Sequence, residues 1–249
     1  MAHAGAAGQN VNKAPTSREK VRLVWRDYWR AHSGQIGNTA PEYLQRSLEA
    51  ACGDLKGRRV LEAGSGTGGL AVGLSAKAAR VCVLDIIPDC VRGADPRLWR
   101  LAGDLFRMPF ASDSFDIVFN SGVMEHFDND DLRRGLEEMC RVLKPGGRLV
   151  VIVPSAHGRF YVAGKKRQEA RGEWEYGVEN PIETLKHHVA HLPLKGVSER
   201  LTGVRWQTRF LDGWRRVLAK LVVAPFSEQS RIGSTLFGGY LLVSTWQKQ

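Results

Sequence analysis

Residues 60–69 read VLEAGSGTGG, an apolar run that breaks into glycines at alternate positions, Gly64, Gly66 and Gly68. Glycine admits torsions and close approaches that a Cβ blocks, so the backbone can come up against a ligand there. By itself a GxGxG turn marks only a nucleotide-type site, shared with dinucleotide-binding enzymes. The neighbouring carboxylates narrow it. Glu62 precedes the turn; a carboxylate at that point can face the amino group of an amino-acid-bearing ligand, but it repels a pyrophosphate held at a helix N-terminus. Asp85 closes the next apolar run, ARVCVLDI, where its two oxygens can take both hydroxyls of a ribose. Asp104, in LAGD, can accept from an exocyclic adenine amine.

These residues sit at the ends of apolar runs that read as strands. RRVLEAG, ARVCVLDI, RLWRLAGD, FDIVFNSG and LKPGGRLVVIVP supply five, VSERLTG and GGYLLVSTW two more. Consecutive apolar positions predict strands buried on both faces, as in a parallel sheet. Helical stretches alternate with them: GGLAVGLSAKA, a short helix at 89–94, the amphipathic NDDLRRGLEEMCRVL at 129–143, ETLKHHVAHL, and 208–222. That alternation predicts a doubly wound α/β sheet with right-handed crossovers, and ligands bind at its carboxyl edge. Ahead of the sheet, residues 1–16 read as a disordered tail and 17–53 as a helical cover. SREKVRLVWRDYWRAH places Val21, Val24, Trp25, Tyr28 and Trp29 on one face, which packs on a core or covers a ligand site. Residues 155–181 are polar, basic and aromatic, and read as an insertion over the same edge. With these decorations, 17–249 form a single domain.

Val60 to Pro154 resembles the class I S-adenosylmethionine-dependent methyltransferases of the ubiquinone/menaquinone-type branch. VLEAGSGTG looks like that family's first motif and VLD, ending at Asp85, like its acidic second. LAGDLFRMPFASDSFDIVFNSGVMEHF and RVLKPGGRLVVIVP match the stretches around its fourth and fifth strands. The resemblance implies a Rossmann-like sheet of seven strands, mostly parallel with one antiparallel. It implies S-adenosylmethionine as cofactor, with Glu62, Gly64, Ser65, Gly66 and Gly68 around its methionine part and Asp85 on the ribose. Ile86, Asp104 and Leu105 then meet the adenine, and Asn120 and Ser121 line the sulfonium side.

Methyl transfer from a sulfonium is an in-line displacement that mainly needs alignment; an acceptor carrying a proton also calls for a general base. His126, in VMEHF after the fourth strand, is the candidate, because a histidine titrates near neutral pH. A structural histidine bonded to a loop is the competing reading. In the insertion, Tyr161, Trp174 and Tyr176 are candidate walls of an acceptor pocket together with His126, against a lid that packs without touching substrate. WEYGVENP resembles a segment of some bacterial small-molecule and cell-envelope methyltransferases. His187 and His191 have i,i+4 spacing but lack a third ligand, so no metal site is expected.

The net charge of +10 is uneven: residues 1–140 carry 18 cations and 18 carboxylates, so the whole excess lies in 141–249. It suits an acidic or phosphate-bearing small-molecule acceptor, an anionic membrane surface docked through the Trp-rich N-terminal helix, or mere solubility. The strand-four sequence NSGV is not the Pro-Pro motif of base-amine methylation, and no RNA-binding module is present, so nucleic acid ranks below small molecules. Four cysteines without a CxxC pair suit reduced thiols in a cytoplasmic protein. No apolar run reaches the ~20 residues of a membrane span, and the first residues lack the pattern of a secretory signal. The competing functions are a small-molecule methyltransferase, a lipid or quinone methyltransferase, and a non-catalytic S-adenosylmethionine-binding protein. The sequence carries no signal of oligomeric state.

Overall fold

The computed structural model describes residues 17–32, 40–78 and 80–249; the tail expected over 1–16 lies outside the described residues. Seven strands form one sheet in the order β3-β2-β1-β4-β5-β7-β6. They are β1 (Arg59–Ala63), β2 (Arg80–Asp85), β3 (Trp99–Ala102), β4 (Phe115–Ser121), β5 (Leu143–Pro154), β6 (Leu194–Thr202) and β7 (Leu241–Lys248). Neighbours pair in parallel except at β7, which runs against both β5 and β6. The expected seven-stranded sheet with one antiparallel strand is therefore the observed one.

The helices are α1 (Ser17–Ala31), α2 (Glu42–Cys52), α3 (Gly69–Ser75), α4 (Pro88–Gly93), α5 (Asn129–Val142), α6 (Arg159–Ala170), α7 (Lys186–Val189), α8 (Gly213–Val223) and α9 (Arg231–Phe237). Two apolar layers sandwich the sheet. One gathers Leu132, Leu136 and Met139 of α5 against Leu61, Val118 and Leu149. The other gathers Leu48 of α2 and Leu70 and Leu74 of α3 against Val60, Ile117 and Val150. The consecutive buried positions of β1, β2 and β4 follow from this two-sided cover. β3 and β6 are the edges of the sheet and carry most of its exposed positions. All four cysteines are buried and unpaired.

Some elements differ from the sequence reading. The helix expected over 183–192 is a single turn, α7, because the chain ahead of it is tied to β6: Thr184 Oγ1 donates to Glu199, and so does the Leu185 N–H. The helix expected over 208–222 is divided into a 3-10 turn, Trp206–Phe210, and α8. Gly213 at φ +48° makes the break, a left-handed conformation that a continuous helix cannot hold. α9, not expected, is capped by Ser230, whose side chain accepts from the Gly233 N–H. Inside β5 the LKPGG segment loops out: Phe115 pairs with Leu143 but Ile117 already with Arg148.

The strand order reverses between β1 and β4, so the chain leaves their carboxyl ends in opposite directions and opens a crevice, the usual ligand position in such sheets. The Gly64 and Ser65 N–H groups both donate to Leu84 O, at 2.7 and 3.0 Å, and pin the turn after β1 to β2.

Candidate functional site

A cavity of about 330 Å³ opens at this crevice. Its floor is the glycine turn, with Gly64, Ser65 and Gly66; one side carries Asp85, Ile86, Asp104 and Leu105, and the other Ser121, Val123 and His126. Val21, Arg22, Trp25, Tyr28 and Trp29 of α1 close it from above. Nine of the candidate site residues named from the sequence thus meet in one cavity. The α1 residues are the part that sequence reasoning left open between core and cover; their aromatic spacing was the available signal.

The glycines are needed for different reasons. Gly66 has φ +53°, and a Cβ on it would lie 2.5 Å from Cζ2 of Trp29. At Gly64 a Cβ would lie 2.7 Å from Val123 Cγ2. The turn is therefore a cradle whose free space exists only without side chains. Gly68 lies outside the lining, in left-handed conformation as N-cap of α3.

The carboxylates form a graded set. Asp85 accepts from the Gly66 N–H at 2.7 Å and from the Ile87 N–H at 2.8 Å. Burial pushes its carboxyl up, and these N–H groups partly offset the effect. It stands at the cavity wall with the remaining lone pairs of its two oxygens available to a diol. Asp104 lines the cavity too, while one of its oxygens holds the Phe106 N–H at 2.9 Å. Glu62 lies beneath the floor, 4% exposed, and accepts from the Ala71 N–H at 3.2 Å. Ala71 is in the first turn of α3, so the Glu62 carboxyl already takes up a donor that a pyrophosphate would require. Asn120 is fully buried behind Ser121; its amide donates to Met139 Sδ, and its Oδ1 has no hydrogen-bond partner among the described residues.

His126 projects from the 3-10 turn Met124–His126 after β4. Its Nδ1 lies 2.7 Å from Val178 O. A carbonyl can only accept, so Nδ1 carries the proton and Nε2 the lone pair. Burial lowers the imidazole's pKa, and Trp25 packs edge-on against the ring at 5.1 Å between centroids. Behind it lie two buried acids. Glu125 is pushed well up by burial and by Glu179, and Glu179 is pushed up by burial while the Tyr161 hydroxyl donates to it. Glu125, His126 and Glu179 bring ligand atoms within 4.8 Å of one another. Within this group Nδ1 of His126 is engaged with Val178 O and Glu179 accepts from the Tyr161 hydroxyl. His191 instead bonds Glu137 at 2.9 Å.

Tyr161, Trp174 and Tyr176 are not part of the lining. Tyr161 is fully buried between Phe210 and Tyr240. Trp174 packs on Tyr176 at 5.1 Å, and Tyr176 on Tyr28 at 5.6 Å. Aromatic rings of the 155–181 segment thus back α1, which itself faces the cavity.

Residues 61–151 match the family model described as a methyltransferase domain. The chain is 39% identical over 114 residues to the demethylmenaquinone methyltransferase of Mycobacterium sp. (strain KMS), covering 44% of this chain and 47% of the relative. It is 40% identical over 114 residues to the enzyme of the same name from Deinococcus radiodurans, covering 41% and 46%. The match spans slightly under half the length of these relatives. Among solved structures, 1,6-didemethyltoxoflavin-N1-methyltransferase of Burkholderia thailandensis, holding S-adenosylhomocysteine, superposes with a TM-score of 0.62 over 96% of this chain and 93% of its own, at 15% identity. At that identity the likeness is one of fold. The glycine turn, the strand order and the matched segment agree, and they identify residues 61–151 as a methyltransferase domain.

Proposed function

We propose that this chain transfers a methyl group from S-adenosylmethionine to an aromatic small-molecule acceptor held under α1. The observation that carries the reading is a single cavity joining the glycine cradle and Asp85 to His126 beneath an aromatic roof. The bound cofactor supplies a methyl group already activated on a sulfonium. Gly64, Ser65 and Gly66 cradle its amino-acid part, Asp85 holds the ribose, and Asp104 and Leu105 meet the adenine.

Trp25, Tyr28, Trp29, Phe106 and Phe127 make the remaining wall predominantly aromatic, which favours a flat, apolar acceptor and excludes water from it. The relatives' name, demethylmenaquinone methyltransferase, points to a quinol-type ring as the acceptor class. An acidic or phosphate-bearing acceptor has less support, since Arg22 is the one Lys or Arg side chain in the lining among the described residues. His126, neutral and protonated on Nδ1, takes the acceptor's proton on Nε2. Tyr176 and Trp174 hold the roof in place.

Calorimetry with S-adenosylhomocysteine and turnover assays with a reduced naphthoquinone test this. The expected result is tight binding in both wild type and His126→Ala, with turnover lowered about 10²-fold or more in the variant. Unchanged turnover would remove His126 as base, and absence of S-adenosylhomocysteine binding would overturn the reading as a whole.

A further inference from the structure

We infer that α8, with the basic groove beside it, is a docking surface for the anionic face of a lipid bilayer. On α8 the large apolar side chains point outward. Trp214, Val217, Leu218, Leu221 and Val222 are between 42 and 68% exposed, whereas the buried residues of the helix are Ala219 and Val223. At 100° per residue the five span an arc of about 140°. Arg215 borders the arc on one side, stacked on Trp214 at 4.8 Å, and Lys220 on the other. The next helix, α9, adds exposed Ile232 and Leu236. An outward aliphatic stripe with tryptophan and flanking cations is the pattern of a helix lying in the headgroup region.

The adjoining groove, about 450 Å³, supplies the charge. Arg205, Arg209, Arg216 and Lys220 line it, together with Trp206. None of the four cations forms an ion pair among the described residues. Glu228, also in the groove, spends one oxygen on the Arg205 and Trp206 N–H groups. Residues 205–231 hold six Lys and Arg against two carboxylates. This identifies where much of the C-terminal excess charge goes: beside an apolar stripe, and away from the cavity. A second copy of the chain is a poor occupant, because a two-fold interface would set this basic face against itself. Phosphodiester headgroups match the groove while acyl chains match the stripe. The N-terminal helix does not serve this role, since Trp25 and Trp29 are turned to the cavity.

Co-sedimentation with vesicles tests the inference and reads binding alone, so it stands or falls separately from methyl transfer. Wild type should bind vesicles of equal parts phosphatidylcholine and phosphatidylglycerol, release at high salt, and ignore phosphatidylcholine alone. Leu218→Ser/Leu221→Ser and Arg216→Glu/Lys220→Glu should each weaken binding about tenfold or more, with melting temperatures unchanged because all four side chains are exposed. Brominated acyl chains should quench wild-type fluorescence, and the quenching should fall in Trp214→Phe while binding persists. Equal binding by wild type and both double variants would overturn the inference. So would a vesicle-indifferent protein that either binds inorganic phosphate in the groove or dimerises through Leu221.

Discussion

Glu62→Gln offers a quantitative test of how the cradle is built. The Glu62 side chain is buried beneath the glycine turn. Burial pushes its carboxyl from the ordinary 4.5 up to about 8, against the opposing Ala71 N–H and helped by the charge of Asp85. Because the folded pKa lies above the unfolded one, this group's stabilisation is complete below about pH 4.5 and is lost as pH rises through about 8. At about pH 7 the folded carboxyl still carries its proton while the unfolded one is ionised, a penalty of about 3 kcal/mol at about 1.4 kcal/mol per pH unit. Glutamine keeps the shape and an acceptor for Ala71, and stays neutral throughout. Relative to wild type, Glu62→Gln should therefore gain about 3 kcal/mol between about pH 4.5 and pH 7. In a chain of this size that is a melting-temperature difference widening by about 6–12 °C. Thermal or urea unfolding of both proteins across this range is the assay. Parallel stability curves would refute the claim that Glu62 is held neutral in the folded chain.

Two further outcomes follow from the roof. Gly66→Ala should cost about 1–2 kcal/mol for its left-handed backbone and displace Trp29, weakening S-adenosylhomocysteine binding; Trp29→Ala in the same background should restore part of that affinity, and calorimetry of the four proteins separates strain from clash. Asp131 accepts from Arg18 and Ser17 and so ties α1 to α5, and the Arg18 hydrogen bond holds its carboxyl below the usual range. This clasp is present above about pH 3.8 and lost as pH falls through the folded value. Asp131→Asn should lose about 0.5–1 kcal/mol and show faster hydrogen exchange in α1 than in α5.

The sheet was legible from the sequence because its strands are buried on both faces, and two-sided burial writes an unbroken apolar run that no surface element imitates. VLEAG, VCVLD and FDIVF each mark a strand, and the glycines after the first mark the place where the backbone must yield to a ligand. Eight of the eleven expected cofactor-side positions line the cavity, and these were legible for the same reason: each ends a strand or follows one within three residues. Local pattern failed where a long-range tie decided the outcome. ETLKHHVAHL has helical periodicity, yet Glu199 of β6 holds its start and leaves one turn of helix. Gly213 cuts a run that reads as continuous.

Sequence alone thus determined the strand order's raw material, the cradle and the carboxylates around it, since these depend on backbone freedom and burial encoded in neighbouring residues. Only the tertiary structure decided which aromatic rings face the cavity. Trp25, Tyr28 and Trp29 line it, whereas Tyr161, Trp174 and Tyr176 stand behind, because an amphipathic stripe states that a face is covered but not by what. Tertiary structure likewise decided the orientation of α8. The sequence marks residues 208–222 as helical without saying which face is covered, and the burial of small Ala219 and Val223 turns the large side chains outward.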